Sequence, residues 1–520
     1  MCLALFCACT TAFAQKRGEP DIDVEQLRKL QFAQLAISNF YVDSVDQKKL
    51  VEDAINGMLS KLDPHSSYTN AEETRKLNEP LEGNFEGIGV QFNMLNDTLV
   101  VIQPTAKGPS ERAGIMAGDR IVSVDGRPIA GVKMDRDSIM RLLRGPKNSK
   151  VVLGVVRRGV KAPLSFKVTR DKIPVNTVDA AYIIAPGIGY IHLERFGATS
   201  GKEVHDAIAK LQGEGMEKLI FDLGVNGGGL GAAVDVASEF LPGGSLVVYT
   251  QGRTGKDSQL RASSNGLFRK GGLAILVDEY TASAAEIVSG AVQDHDRGVI
   301  VGRRPFGKGL VQRPVELPDG SMIRLTVSHY YTPSGRCIQK PYVKGEKEKY
   351  NEDLNTRFTH GELMHLDSIH LDSTKVYTTL EKHRTVYGGG GIMPDIFVPL
   401  DTTSYTPYYR ALSRNNLITQ AALRFTDSNR KSILRRYKSF DDYLSSYTIP
   451  TSLLDDIEKE AEKKGIKPKD EAERKEARED MAFMLKALVA YNVWDRNEYF
   501  RIINQKNDIV KRALEELQKT

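Results

Sequence analysis

The stretch Leu273-Ala274-Ile275-Leu276-Val277-Asp278-Glu279-Tyr280-Thr281-Ala282-Ser283-Ala284-Ala285-Glu286 decides how this sequence folds. Five apolar residues in a row, stopped by Asp278-Glu279, read as a strand buried on both faces. Small residues follow as a tight turn, and a helix is predicted over 283–294. Strand, turn and helix make one unit of a layered sheet, and similar units lie on either side. Tyr190 to Leu193 reads as a strand before a helix over 200–213, and Lys218 to Leu223 as a strand before a helix over 230–240. Val299-Ile300-Val301 and Ile323 to Tyr331 add further strands. Alternation from about 186 to 335 predicts a layered α/β domain.

Upstream, residues 85–172 have a different pattern. Gly87-Ile88-Gly89-Val90-Gln91-Phe92 is apolar and glycine-spaced, Leu99 to Ile102 is a strand, and Ser110 to Gly114 is a short helix with a glycine stop. Asp119 to Gly126 runs as a strand into an Asp-Gly turn. A helix over 135–144 and a strand over 151–158 complete a β-rich module. Before it, Leu27, Leu30, Ala33, Ile37 and Phe40 recur at helical spacing, as do Leu50, Ile55, Met58, Leu59 and Leu62, until Asp63-Pro64 ends the second helix. After residue 400 the pattern is helical throughout. The Glu/Lys/Arg-dense stretch Asp455 to Asp480 reads as a solvated helix face with i,i+4 pairs. Residues 340–388 are polar and carry no clear periodicity. There is no internal repeat.

The chain has 520 residues, 41% of them hydrophobic, and a net charge of +5, so three or four domains are expected. No basic stripe interleaved with aromatics is present, so no nucleic-acid partner is expected. No apolar run reaches about 18 residues, so no spanning helix is expected. Residues 1–14 form an apolar run ending in Ala12-Phe13-Ala14, the small-x-small pattern of a cleaved leader, and predict export. No Lys or Arg precedes that run, so a start upstream of Met1 is a further expectation. A lipid-anchored Cys7 or Cys9 is the competing reading, but neither has a small-residue context. Cys2, Cys7 and Cys9 would leave with the leader, and Cys337, then alone, reads as an ordinary strand or loop thiol.

Three segments could carry chemistry. A serine at a strand–turn–helix junction is exposed at a strand end beside unpaired helix N–H groups, which suit a developing oxyanion. Capping of the helix by Thr281 or Ser283 is the plainer role. In Phe306-Gly307-Lys308-Gly309-Leu310-Val311-Gln312, glycines flank a single lysine and allow close backbone approach. If 308–312 is extended, Lys308 and Gln312 share a face. A lysine becomes a general base once desolvation lowers its pKa from about 10.4 toward 7–8. In Asp222-Leu223-Gly224-Val225-Asn226-Gly227-Gly228-Gly229, a strand ends in a glycine loop. It lacks the Gly-Lys-Ser/Thr ending of a phosphate loop. His192 and His295 remain open as alternative bases. No His-x-x-x-His or Cys-x-x-Cys spacing occurs, so neither metal nor cofactor is expected.

Taken in this order, the segments resemble the carboxy-terminal processing, or tail-specific, peptidases. Thr281-Ala282-Ser283-Ala284-Ala285-Glu286 resembles their nucleophile segment, and Phe306-Gly307-Lys308-Gly309, with Lys308 25 residues after Ser283, their base segment. Gln312 stands where the family's third catalytic residue lies. Asp222-Leu223 to Gly229 looks like the substrate-facing glycine loop, and Ile392-Met393-Pro394-Asp395 like the motif closing the core. Gly87-Ile88-Gly89-Val90 resembles the carboxylate-binding loop of a PDZ domain, and Ala113-Gly114-Ile115 to Ile121 its centre. Such a loop holds a chain-terminal carboxylate while the peptide adds as a strand. Arg144 resembles an arginine linking that domain to the active site.

The resemblance, over roughly 25–400, implies an α/β, layered crotonase/ClpP-like protease core. It carries an inserted β-rich PDZ-like domain and helical N- and C-terminal regions. The bounds are a leader over 1–14, a helical region over 21–82, PDZ over 83–172, the protease over 173–400 with the polar insertion, and a helical region over 401–520. It implies a serine endopeptidase in which Ser283 attacks, Lys308 takes the proton, and Gln312 orients the lysine. The amides of Ala284, Gly228 and Gly229 would hold the oxyanion, and Gly87, Ile88, Gly89, Val90 and Arg144 would bind substrate. The implied partners are proteins with accessible carboxy-terminal tails, and the location is the periplasm or outside the cell. A homo-oligomer and an adaptor protein are compatible with it. Two residues depart from the pattern. Gly224 replaces the usual arginine, and Ala285 replaces a frequent serine. Gly224 supports a rival, a catalytically impaired peptide-binding scaffold. A crotonase-like hydrolase or isomerase acting on a small acyl substrate is a second rival, opposed by the PDZ-like module.

Overall fold

The computed structural model describes residues 23–79, 81–228, 230–253 and 258–519. The expected leader and Gly229 lie outside them. The first helix, α1 (Val24–Phe40), is capped by Asp23, and α2 (Gln47–Leu59) by Asp46, each carboxylate accepting two backbone N–H groups. The region is not wholly helical. Beyond Asp63-Pro64 the chain forms β1 (Ser67–Thr69) before α3 (Ala71–Asn78), which carries an Asn70/Glu73 capping box. Three residues are too few to show a period in the sequence.

The middle module contains β2 (Asn84–Gly87), β3 (Val90–Leu95), β4 (Thr98–Pro104), α4 (Pro109–Arg112), β5 (Arg120–Val124) and β6 (Arg127–Pro128). It continues with α5 (Arg136–Leu143), β7 (Lys150–Val156), β8 (Leu164–Thr169) and β9 (Asp171–Pro174). Its sheet runs β3-β4-β5-β7-β8, with β6 on β5, while β2 and β9 pair antiparallel where the chain enters and leaves. The period-2 pattern explains the core, because Val151, Leu153 and Val155 are buried while Val152 and Val156 face outward.

The central domain is built from β10 (Val178–Ala185), β11 (Ile188–Leu193), α6 (Ser200–Gly213), β12 (Lys218–Asp222), α7 (Leu230–Ser238), β13 (Leu246–Gly252) and β14 (Ser258–Arg261). After these come β15 (Leu273–Val277), α8 (Ala284–Asp294), β16 (Val299–Gly302), β17 (Leu310–Glu316) and β18 (Met322–Tyr331). The polar insertion supplies α9 (Lys347–Thr359) and the hairpin β19 (Val376–Thr378) with β20 (Thr385–Tyr387), before β21 (Ile396–Phe397). The main sheet runs β10-β11-β12-β15-β16-β21, parallel from β11 onward. A second, antiparallel sheet runs β1-β18-β13-β14, with β17 also on β18.

Strand residues alternate between two apolar layers. Phe221, Ile275, Val277 and Ile300 pack with α6, α7 and α8. On the other face Tyr190, Ile220, Ala274 and Leu276 pack against Val510, Ala513 and Leu517. Those three lie on the last of the carboxy-terminal helices, α10 (Pro407–Arg414), α11 (Leu417–Arg436), α12 (Phe440–Ser446), α13 (Thr451–Lys463), α14 (Glu471–Val493), α15 (Arg496–Ile503) and α16 (Asp508–Lys519). Their spacing of three and four residues makes one helix stripe. The charged stretch differs from expectation. Arg474 and Arg478 bridge from α14 to Glu458 and Asp455 on α13, so the charges fasten two helices together as well as facing water. Among the described residues no helix is long and apolar enough to cross a membrane.

Candidate active site

β12 and β15 are parallel neighbours, with Asp222 opposite Leu276, so the loops that leave them run side by side. Hydrogen bonds join these loops. Ala282 N–H donates to Asn226 O (2.7 Å), the Thr281 hydroxyl to Leu223 O (2.8 Å), and Val225 N–H to Asp278 Oδ1 (3.0 Å). Asp278 Oδ1 also accepts from the N–H groups of Tyr280 and Thr281, which shapes the turn. The turn delivers Ser283 at φ 55° and ψ −111°, an uncommon conformation for a residue with a side chain. Such strain costs on the order of 1–3 kcal/mol and persists only where surrounding contacts enforce it.

The enforcing group is Glu286, fully buried on the first turn of α8. Its Oε2 accepts the N–H groups of Ser283 and Lys308, both at 2.9 Å, and its Oε1 accepts that of Gly307 at 2.9 Å. Burial pushes this carboxyl up to about 7, against the pull of the three N–H groups. Tyr330 reinforces the link, its hydroxyl lying 3.1 Å from Ser283 O and 2.5 Å from Lys308 O. The backbones carrying the serine and the lysine are therefore fastened to the same two side chains.

Both glycines around Lys308 are required by close approach. A Cβ at Gly307 would lie 3.1 Å from Gly391 N at φ 84°, and one at Gly309 would lie 2.7 Å from Gln339 N. Lys308 Nζ donates to Gln312 Oε1 at 3.0 Å. This meeting differs from simple alternation, since the strand begins only at Leu310 and an irregularity shifts its register between Val311 and Gln312. Burial, with a smaller contribution from the Arg324 charge, lowers the lysine's pKa. Gln312 Nε2 in turn donates to the backbone carbonyl of His65. A carbonyl only accepts, so the amide nitrogen must face His65 and its oxygen must face Lys308. No direct hydrogen bond joins the Ser283 hydroxyl to the Lys308 amine.

Glu286, Tyr330 and His65 were not singled out by the sequence reading. Glu286 stood within the nucleophile segment, and its place one turn into a helix was the available signal. His65 is 247 residues from Gln312 in sequence and gave none. Its ring bonds Tyr350 Oη at 2.9 Å, and burial together with the Lys308 charge lowers its pKa to about 4. The alternative bases are engaged elsewhere, His192 with Asp179 at 2.5 Å and His295 with Leu246 O at 2.8 Å. Burial raises the Cys337 thiol.

Ala284 is the first residue of α8, where helix N–H groups lack intrahelical partners. Gly227 forms a bridge with Ala282, which places Gly228 next to the serine turn. Gly224 does not adopt a left-handed backbone, but Val225 does, at φ 57°. A Cβ at 224 would stand 3.2 Å from Asp222 Oδ1 and 3.4 Å from Asp278 Oδ2.

In the middle module, Gly87 ends β2, Ile88 is buried, Gly89 takes φ 69°, and Val90 begins β3. Ser110 donates both its N–H (3.0 Å) and its hydroxyl (2.7 Å) to Ile88 O, fixing the loop. Arg144, the arginine the resemblance connects with the active site, lies between the amino-terminal region and the middle module. It pairs with Glu79 at the end of α3 and lies over the Phe85 ring at 4.7 Å, where an anion and an aromatic face meet its guanidinium.

Comparisons with known proteins agree with this architecture. Residues 187–347 match the model of peptidase family S41, 87–172 that of the PDZ domain, and 8–74 that of the activating protease CtpB N-terminal domain. Residues 408–495 match a family of unknown function, DUF8443. The chain is 38% identical over 305 residues to a carboxy-terminal-processing protease of Bartonella bacilliformis, covering 58% of this chain and 69% of that protein. It is 34% identical over 341 residues to the carboxy-terminal processing protease CtpB of Bacillus subtilis, covering 65% and 70%. A solved photosystem II D1 C-terminal processing protease is 28% identical, covers 72% of this chain and 93% of its own, and gives a TM-score of 0.36.

Proposed function

Because this chain belongs to the carboxy-terminal processing serine proteases of peptidase family S41, we propose that it cleaves proteins with accessible carboxy-terminal tails through a Ser283–Lys308 pair assisted by Gln312. The observation that carries this reading is the Lys308–Gln312 hydrogen bond on a backbone tied to Ser283 through Glu286. Neutral Lys308 takes the hydroxyl proton as Ser283 Oγ bonds to the scissile carbonyl carbon. The tetrahedral oxyanion sits against the amides of Ala284 and Gly228. As the C–N bond breaks, the lysine ammonium returns the proton to the departing amine, and water then resolves the ester by the same route. The lysine–serine hydrogen bond forms as substrate packs over the site, as is common for catalytic contacts that are loose without substrate.

The PDZ domain takes the substrate's terminal carboxylate at Gly87–Val90, and the enzyme works in the periplasm or outside the cell. Degradation of casein by the wild type beside Ser283→Ala tests the reading. Loss of all turnover with an unchanged melting temperature is expected. A wild type that binds tails but never cleaves them would leave the peptide-binding scaffold instead.

A further inference from the structure

β3 is one of the two edges of the PDZ sheet, the other being β8, and an edge strand carries unpaired ladder groups. Its hairpin with β4 turns at Asn96-Asp97, with φ of 48° and 54°, the two-residue turn that suits twisted strands. In such a hairpin the flanking pair Leu95/Thr98 exchanges hydrogen bonds. The next pair, Met94/Leu99, therefore turns its groups away from the hairpin. Two residues further, Phe92 does the same. Both thus address the edge where a peptide strand would add, beside α5, whose Arg136 stands over the Phe92 ring at 5.4 Å.

The two positions are treated differently. At Met94 both ladder groups are taken by side chains. Its N–H donates to Asn93 Oδ1 at 3.0 Å, and its carbonyl accepts from Gln420 Nε2 at 3.3 Å. Among the described residues no side chain bonds either group of Phe92. Gln420 lies on α11, which is fastened to the PDZ domain. Arg120 pairs with Asp427 at 2.6 Å, Arg158 donates to Asp427 O at 3.1 Å, and Arg430 donates to Ile102 O at 3.3 Å.

Resting on the reading that this groove takes a substrate tail, we propose that Gln420, with Asn93, closes the groove at Met94. A tail running antiparallel to β3 from the carboxylate loop pairs one residue per strand residue, so the domain reads about four terminal residues. Further upstream the tail meets α11 instead of a strand edge. The carboxy-terminal helical region thereby sets the length of tail that is recognised.

The test uses the full chain carrying Ser283→Ala and fluorescein-labelled peptides of alternating Ala and Val with a free carboxylate, four and eight residues long. The parent is expected to bind both with Kd values within about twofold. Adding Gln420→Ala frees the Met94 carbonyl and should tighten the longer peptide about three- to tenfold, leaving the shorter unchanged. Methylation of the fifth backbone nitrogen from the carboxyl end should cost nothing in the parent and cancel that gain. Asn93→Ala, which leaves α11 untouched, should also favour the longer peptide. A parent that already prefers eight residues, or a Gln420→Ala form with no new length preference, would overturn the proposal alone. Failure of both peptides to bind would overturn it together with the reading of the groove as a tail site.

Discussion

At the residue scale, the proposed chemistry depends on whether Lys308 is neutral. Burial disfavours its charged form, so its pKa lies below the ordinary lysine value. The base form grows as pH rises, and turnover is expected to rise through that lowered pKa and level off above it. Lys308→Arg should be inactive at every pH, because a guanidinium keeps its proton. A rate that is flat with pH, or an active arginine variant, removes Lys308 as the base. Gly224 permits a gain instead of a loss. Its backbone is not left-handed, so an arginine there meets no strain of that kind, and its Cβ would stand between the carboxylates of Asp222 and Asp278, close enough at 3.2 Å that Asp222 must give way slightly. Charge-assisted bonds to them would hold the glycine loop against the serine turn. Gly224→Arg is expected to raise casein turnover about threefold or more, with the melting temperature little changed. An equal or lower rate, with folding intact, shows a loop adapted to glycine.

At the scale of elements, the turn 63–66 reaches the candidate site, through the bond from Gln312 to the His65 carbonyl, although it lies in the amino-terminal region. Asp63 accepts from the N–H groups of His65 and Ser66 and from the Thr326 hydroxyl on β18. It thereby aims the His65 carbonyl at Gln312. Asp63→Ala should lower kcat about ten- to a hundredfold with little change in KM, and should alter the pH profile, since the His65 carbonyl that orients the glutamine is no longer held in place. A changed KM alone would separate the turn from catalysis. This contact was invisible in the sequence, because a backbone carbonyl has no signature and the partners are remote. The strand–turn–helix at Ser283 and the Gly-Lys-Gly segment were legible, since local spacing and glycine placement write them directly. The strand β10 was missed. Its run Val178-Asp179-Ala180-Ala181-Tyr182-Ile183 mixes faces, and only its antiparallel partner β11 makes it a strand. The register shift before Gln312 was equally unwritten, because a bulge changes which residues meet without changing their kinds.

At the scale of the molecule, the sheet that carries the site has two apolar faces, and they are covered from distant parts of the chain. One is covered by α6, α7 and α8, which lie between the strands. The other depends on α16, where Val510, Ala513 and Leu517 are buried. Leu517→Ala is expected to cost about 2–5 kcal/mol and to lower the melting temperature of the central domain while leaving the PDZ core, a separate cluster, at its own stability. Thermal unfolding followed in both domains checks this, and an unchanged central transition would deny α16 its place in the core.

The cover on that second face also has an order in time. A chain is made from its amino end, so Ser283, Lys308 and Gln312 leave the ribosome well before Asp508–Lys519. Throughout that interval the face of the sheet that Val510, Ala513 and Leu517 cover is bare. The helix made last is thus the one that closes the apolar face of the sheet carrying the candidate site.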